Sequence, residues 1–186
     1  MVGKRRTRED WIVAALAMIA ERGVAALAVE PLAQRVGATK GSAYWHFPSR
    51  EALLTAALRR WSEQGTAWVI EATSQKGDPA EQLWLMFERV MINEPSTAIE
   101  YAIMSAAGDP VVAPMFHEAT RQRVDYLSGL FEGIGFEPEA ARWRGRHLYG
   151  FFLGHIQLVS NDPSAVPSGD RRREYVEAAY RMMTAR

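Results

Sequence analysis

The sequence predicts an all-α protein of about nine helices. Apolar residues recur three and four positions apart through most of the 186 residues, and no run shows the strict alternation expected of a strand. Clusters of glycine, proline and asparagine interrupt this periodicity where helices are expected to end. A chain of this length is long enough for one well-buried helical body and a small head.

The first three predicted helices are short. The first covers residues 7–22. The second opens at Pro31, whose fixed φ and missing N–H are tolerated at the start of a helix, and stops at Gly37. The third begins at its cap, Thr39, and ends before Pro48, because proline disfavours helix in the preceding residue.

Longer helices follow. Ser49 can cap a fourth helix that runs to about residue 74, with apolar residues from Leu53 to Trp68 on its buried side. Turn signals then predict helices at 79–92, 96–107, 111–132, 138–160 and 170–184. The expected domains are a head at 1–48 and a helical body at 49–186.

The third helix is too short to bury a large apolar face, yet it carries many donors and flat rings. Gly41 allows close approach of the backbone to a partner, and the N–H groups at the helix start attract phosphate. Two short helices around a glycine turn predict a helix-turn-helix that binds DNA. The alternative is a helical hairpin whose rings are core residues. The expected contacts are Thr39, Lys40, Gly41, Ser42, Tyr44, Trp45 and His46.

Charge is divided unevenly along the chain. The whole sequence has 22 basic and 22 acidic residues, but residues 1–60 carry a net charge of +5 and residues 61–186 a net charge of −5. Lys4, Arg5 and Arg6 lie in a basic arm before the first helix, which can follow phosphates or enter the minor groove. The alternative for the arm is a solvated, disordered terminus.

About a third of the chain resembles the DNA-binding region of the TetR family of one-component bacterial regulators. The resemblance starts at Thr7 and depends on the order and spacing of several short strings. These are Glu21-Arg22-Gly23, Leu32-Ala33, Gly37, Lys40-Gly41-Ser42, Tyr44-Trp45-His46-Phe47 and Pro48-Ser49-Arg50-Glu51-Ala52-Leu53.

The resemblance implies a ligand-responsive regulator, a repressor by the main hypothesis. Two subunits would bind a palindromic operator in double-stranded DNA, with Tyr44 and His46 mainly on the DNA backbone. Ser49 and Arg50 would hold phosphate at the start of the fourth helix. Ala28 replaces the hydroxyl residue that family members often carry before the second helix, and Arg50 replaces their lysine. We therefore expect Arg50 and the basic arm to make a larger share of the phosphate contacts.

The predicted body is rich in rings and methionines, which can line an adaptable cavity for a small apolar or aromatic effector. Ordinary core packing is the alternative for each of them. The expected pocket residues are Trp84, Phe87, Met91, Tyr101, Met104, Phe116, Tyr126, Trp143 and His147.

The last two predicted helices are expected to form a homodimer interface. Glycine in a helix costs about 1 kcal/mol relative to alanine, so the glycines here indicate close approach of another helix. Packing within one subunit is the alternative. The expected interface residues are Gly150, Phe151, Gly154, Leu158, Tyr175 and Tyr180.

Other classes of protein find little support. The chain has no cysteine, its four histidines lack metal-site spacing, and no phosphate loop or nucleophile elbow is present. We therefore expect no enzymatic activity, no metal, no cofactor, no membrane association and a cytoplasmic location. The competing hypothesis is a helical small-molecule-binding protein or enzyme whose basic head contacts a protein partner. The concentration of positive charge in the first sixty residues favours the DNA-binding hypothesis instead.

Overall fold

The computed structural model describes residues 6–74, 77–92 and 97–185, and within these ranges the regular structure is entirely helical. The π-helical segment Glu63–Ala67 joins α4 to α5, so the described residues form nine helical stretches beside short 3₁₀ turns, which confirms the all-α prediction. The helices are α1 (Arg8–Arg22), α2 (Val29–Val36), α3 (Lys40–His46), α4 (Arg50–Ser62), α5 (Trp68–Ser74), α6 (Pro79–Ile92), α7 (Thr97–Ser105), α8 (Val112–Gly133), α9 (Pro138–Asn161) and α10 (Asp170–Thr184).

The chain divides into two compact units. The first contains residues 1–63 and 98–117, and the second contains residues 64–97 and 118–186. The predicted domain boundary at residue 48 does not coincide with this division, because α4 packs along α1 and belongs to the first unit. The division into units depends on tertiary packing, and the helix break at Pro48 carries no information about that packing.

The core of the first unit forms where α1 and α4 meet. Trp11 and Ile19 from α1 are fully buried, as are Leu54 and Leu58 from α4. These residues recur at helical spacing, so each helix turns one apolar face inward. An ion pair of 3.2 Å between Glu9 and Arg60 joins the same two helices at the surface.

The start of α2 differs from the prediction by two residues. The helix begins at Val29, and Pro31 occupies its third position. Proline is tolerated there because the first four N–H groups of a helix have no partner within the helix. Ala28 stands at the cap position without a side-chain hydrogen bond, as its lack of a hydroxyl dictates.

The core of the second unit is aromatic. Phe87 of α6 and Phe131 of α8 are almost completely buried, and Tyr149 of α9 joins the same cluster. Tyr180 of α10 packs edge-on against Trp84 with ring centroids 5.2 Å apart. Its hydroxyl donates to the carbonyl oxygen of Ala80 at 3.0 Å.

Trp68 corrects one expectation about the fourth helix. Its side chain is 51% exposed instead of buried, and the guanidinium of Arg89 lies 3.9 Å from the ring centroid. The π-helical segment before it interrupts the α-helical spacing from which the buried side was predicted.

No helix in the described part of the chain combines the length and the apolar character needed to cross a membrane.

Candidate functional site

Gly37 sets the turn between α2 and α3. Its backbone is left-handed, with φ 65° and ψ 43°, a conformation that favours glycine. The N–H of Ala38 donates to the carbonyl oxygen of Ala33 at 2.9 Å and closes the end of α2. Thr39 then begins α3, because its hydroxyl accepts the N–H of Ser42 at 3.2 Å.

The α3 helix presents most of its side chains outward. Ala43 and Phe47 are buried and attach the helix to the first unit, whereas Tyr44 is 44% exposed and Trp45 is 69% exposed. Tyr44 and Trp45 thus place two neighbouring aromatic side chains on the outer face of the helix. Among the remaining predicted contacts, Thr39, Lys40 and Gly41 are exposed, and Ser42 and His46 are half-buried.

Lys40 is paired within the helix-turn-helix. Its ammonium group donates to the carboxylate of Glu30 in the first turn of α2. This hydrogen bond and the attraction of the two charges raise the pKa of Lys40 above its usual range. The lysine therefore remains charged at neutral pH, and the carboxylate of Glu30 partly neutralises this charge.

Arg6, in the basic arm, forms a hydrogen bond to the helix-turn-helix. Its Nε donates to the carbonyl oxygen of Val36, in the last turn of α2. The carbonyl oxygen of Arg6 in turn lies 3.1 Å from Nε2 of His46. Two of the predicted DNA contacts, Arg6 and His46, are thus brought together, while Lys4 and Arg5 lie outside the described residues.

Arg50 is engaged in a way that the sequence did not predict. Its Nε donates to the carbonyl oxygen of Leu27 at 2.7 Å, and its Nη2 donates to that of Val24 at 2.9 Å. The side chain thereby fastens the connection between α1 and α2 to the start of α4. Ser49 caps this helix by accepting the N–H of Ala52 at 3.2 Å. The fork of Arg50 thus has a structural role between backbone carbonyls, and its expected phosphate contact stays a prediction.

The second unit contains an apolar cavity of about 60 Å³, which we call the unit-2 cavity. Arg123 lies at its edge, where Nε donates to Oγ1 of Thr66 at 2.9 Å and Nη2 to the carbonyl oxygen of Gly65 at 3.4 Å. The lining residues are Gly65, Thr66, Val69, Ile70, Met86, Phe87, Val90, Arg123, Tyr126, Leu127, Leu148, Tyr149 and Phe152.

The α9 helix carries three glycines in two different surroundings. A Cβ added to Gly145 would lie 2.5 Å from Oγ of Ser128, so this glycine serves close packing of α9 against α8. A Cβ added to Gly150 or Gly154 would meet nothing within 4 Å. Leu158, one turn after Gly154, is 48% exposed. These last three residues form an open stripe along one side of α9.

Residues 12–66 match the family model described as bacterial regulatory proteins, tetR family. Over these residues the chain therefore matches the DNA-binding part of that family. The matched region contains the complete helix-turn-helix described above, together with α4. Regulators of this family bind DNA and small-molecule ligands and are dimeric.

Solved structures share the fold of this chain over almost its whole length. A TetR transcriptional regulator from Legionella pneumophila is 17% identical with a TM-score of 0.81, covering 97% of this chain and 98% of its own. A transcriptional regulator from Saccharomonospora viridis in complex with choline is 18% identical with a TM-score of 0.78, covering 92% and 93%. NalD, the secondary repressor of the MexAB-OprM multidrug efflux pump in Pseudomonas aeruginosa, is 22% identical with a TM-score of 0.67, covering 94% and 93%.

The unit-2 cavity contains two of the predicted pocket residues, Phe87 and Tyr126. Met91 is buried in the neighbouring core, and Trp84 packs on Tyr180. The pocket prediction is corrected for the others because of where they lie. Tyr101, Met104 and Phe116 belong to the first unit, and Trp143 and His147 are exposed on α9.

The predicted interface residues also separate into two groups. Gly150, Gly154 and Leu158 lie on the open stripe of α9. Tyr175 and Tyr180 pack inside the second unit, where Tyr175 lies against Phe151 with ring centroids 6.0 Å apart. Both tyrosines therefore contribute to the subunit core, and burial raises the pKa of each hydroxyl.

Arg123 is the functional candidate that sequence reasoning missed. A single arginine on a long charged helix is typical of a solvated face, and nothing in its neighbours distinguishes it from Arg121.

Among the residues with described positions, no three His, Asp or Glu side chains are grouped to hold a metal ion.

Proposed function

We propose that this chain is a TetR-family regulator, a homodimeric repressor that binds a palindromic operator and is released by a small apolar or aromatic effector. The observation that carries the proposal is the exposed face of α3, with Tyr44 and Trp45 uncovered beside Lys40 and Gly41. A helix of this kind, held after a glycine turn, enters the major groove in helix-turn-helix proteins.

The start of α3 supports direct contact with DNA. Gly41 has no side chain there, and a Cβ added to it would meet only Oγ1 of Thr39, at 3.9 Å. The backbone can therefore approach the groove closely. Tyr44 and Trp45 offer rings and donors to the sugar-phosphate backbone or base edges, and Lys40 offers a cation to guanine or phosphate.

The open stripe of α9 supports the dimer. Gly150 and Gly154 leave room for the backbone of a second helix, and Leu158 supplies apolar surface to bury. A twofold interface uses the same patch on both subunits. Two recognition helices related in this way would read two inverted half-sites, which makes the operator palindromic.

The unit-2 cavity supports an effector. Its walls come from Phe87, Val90, Leu127, Leu148 and Phe152, and Met86 adds an adaptable side chain. NalD is a repressor of an efflux pump, and the S. viridis regulator binds choline, so structures with this fold serve both repression and ligand binding. An effector relieves repression only if it binds the DNA-free conformation more tightly.

DNA binding is tested with a labelled fragment of the protein's own upstream region. The double variant Tyr44→Ala/Trp45→Ala is expected to lose at least tenfold in affinity at moderate salt. The control is Trp143→Ala, which removes a comparably exposed indole from α9 and should bind as the wild type does. Unchanged binding by the double variant, or equal losses in both proteins, contradicts the proposal.

Dimerisation is tested by light scattering on Gly154→Arg, which places a long charged side chain on the open stripe. The expected result is a monomer at micromolar concentration. Gly129→Arg on α8 is the matched control, because its added Cβ also meets nothing within 4 Å. A wild-type monomer, or a dimer that Gly154→Arg leaves intact, would refute the interface.

Repression itself is tested by placing the upstream region before a reporter gene. Supplying the regulator should lower expression, and the double variant should not. Higher expression with the wild-type protein would assign activation instead.

A further inference from the structure

We propose that His46 acts on the operator through Arg6. It holds the backbone of Arg6, so that the guanidinium of Arg6 lies at the turn between α2 and α3 and binds one DNA phosphate there. His46 is thus a positioning residue, and Arg6 makes the contact. This inference rests on the proposed function, because it assigns one phosphate contact of the proposed DNA-binding surface.

Several hydrogen bonds fix the chain where it enters α1. Thr7 caps the helix, because its hydroxyl accepts the N–H of Asp10 at 3.2 Å and its own N–H donates to the Asp10 carboxylate at 2.8 Å. Arg6 directly precedes this cap. Its carbonyl oxygen lies 3.1 Å from Nε2 of His46, and its Nε donates to the carbonyl oxygen of Val36. Arg6 therefore joins the start of α1 to the ends of α2 and α3.

The guanidinium of Arg6 lies at an exposed part of the helix-turn-helix. A Cβ added to Gly37, the exposed glycine of the turn, would lie 3.6 Å from Nη2 of Arg6. The negative end of the α2 dipole and the Val36 carbonyl hold the cation there. In the described part of the chain its two Nη groups have no acceptor. A phosphate oxygen can accept charge-assisted hydrogen bonds from them.

The cations within the helix-turn-helix segment 29–50 each have a partner already. Arg35 and Lys40 are ion-paired with glutamates, and Arg50 donates to two backbone carbonyl oxygens. A phosphate must displace a carboxylate to reach Arg35 or Lys40. Arg6 has no carboxylate partner among the described residues, so a phosphate that reaches the turn can bind it without that competition.

The hydrogen bond to Arg6 also determines what His46 can offer to DNA. A carbonyl oxygen only accepts, so Nε2 of His46 carries the proton of this bond. In the neutral ring Nδ1 is then an acceptor and cannot donate to a phosphate. The ring packs edge-on against Trp45 with centroids 4.7 Å apart. This arrangement favours action through Arg6 over the direct contact with the DNA backbone that the family resemblance implies for His46.

The test is a double-variant cycle on the full-length protein with the labelled upstream fragment. Fluorescence anisotropy over a range of salt concentrations gives the affinity and its salt dependence. Arg6→Gln should lose roughly tenfold in affinity and about one phosphate contact per subunit from the salt dependence. His46→Phe keeps a ring but no donor and should reduce both quantities in the same direction. The double variant should bind as Arg6→Gln alone does, because His46 then has no cation to position.

Three further variants isolate the hydrogen bond and the charge. His46→Gln retains an N–H donor and should restore most of the wild-type salt dependence. His117→Phe makes the same exchange at an exposed histidine of the first unit, and Arg59→Gln removes an exposed arginine from α4. Both of these controls should bind as the wild type does. Circular dichroism on the same samples checks that each variant is folded.

A measurement on the wild type tests the hydrogen bond without any substitution. Nitrogen NMR of the DNA-free protein, recorded where the imidazole is neutral, distinguishes the two tautomers of His46. The expected form carries its proton on Nε2. A proton on Nδ1 would mean that His46 does not donate to Arg6, and the inference would be wrong.

The outcomes separate this inference from the proposed function. If the wild type binds the upstream fragment specifically and Arg6→Gln keeps the full salt dependence, the inference alone is overturned. The same holds if His46→Phe weakens binding further in the Arg6→Gln background, since His46 would then contact DNA independently. Absence of specific binding by the wild type would overturn the proposed function and this inference with it.

Discussion

Lys40 in the first turn of α3 is ion-paired with Glu30 in the first turn of α2. The carboxylate therefore stands beside the lysine that is best placed to meet DNA. In the proposed complex with DNA, a phosphate or a base edge must displace Glu30 as the acceptor of the ammonium group, and the anionic phosphate is the stronger acceptor of the two. This pair offers a physical reason why an acidic residue is compatible with a DNA-binding surface.

Glu30→Gln is expected to raise affinity for random-sequence DNA. The substitution removes a negative charge from the DNA-facing side and frees Lys40 to hold a phosphate. The pair is exposed and screened by solvent, so the expected gain is modest, roughly two- to fivefold. The dependence on salt should also steepen by about one phosphate contact. Fluorescence anisotropy over a range of salt concentrations measures both quantities.

Glu21→Gln is the matched control for this prediction. Glu21 also forms an ion pair, with Arg35 at 2.5 Å, and lies in the last turn of α1. The arginine holds the pKa of Glu21 below its usual range, so the same single charge is removed. If both substitutions changed affinity equally, net charge and not the Glu30–Lys40 pair would explain the effect.

Arg50→Lys is expected to destabilise the protein although it keeps the charge. Lysine cannot donate in a fork to the carbonyl oxygens of Val24 and Leu27, which are carried by buried residues. Losing hydrogen bonds from a charged donor costs about 1.5–3 kcal/mol. Urea unfolding measures the loss. Arg59→Lys on the exposed side of α4 should cost little, and equal stability of the Arg50 variant and wild type would rule out the fastening role.

Two glycines in neighbouring helices are expected to respond oppositely to alanine. Gly145→Ala forces a Cβ to within 3.0 Å of the backbone nitrogen of Ser128 and should destabilise by about 1–3 kcal/mol. Gly129→Ala meets open space and should stabilise by up to about 1 kcal/mol. Thermal unfolding of both variants checks the signs. Stabilisation by both substitutions would show that α8 and α9 do not pack this closely.

Local signals in the sequence predicted most helix boundaries. Pro79 and Pro138 stand at the start of α6 and α9, as expected, and α10 ends at the predicted residue. Such boundaries depend on the backbone chemistry of the residue concerned. The start of α2 was predicted late, because proline fits any position of the first turn and does not identify which one it occupies.

The candidate site was less accessible from sequence, for a different reason. The exposed face of α3 follows from its short length, but the partners of Arg6 and Arg50 lie about thirty and twenty-five residues away along the chain. Sequence shows the charge of an arginine and not the acceptor it binds. For the same reason the buried pair of Trp61 and Glu100, with Nε1 2.9 Å from Oε1, had no local signal.

The central claim is that two α3 helices bind the two half-sites of a palindromic operator. Selection from random-sequence duplex DNA tests this claim most directly. The wild-type protein is expected to enrich two inverted half-sites with centres about 10 base pairs apart, or a multiple of that spacing. The variant Tyr44→Ala/Trp45→Ala should enrich nothing. A single site without twofold symmetry, or the same enriched sequence from both proteins, would contradict the account.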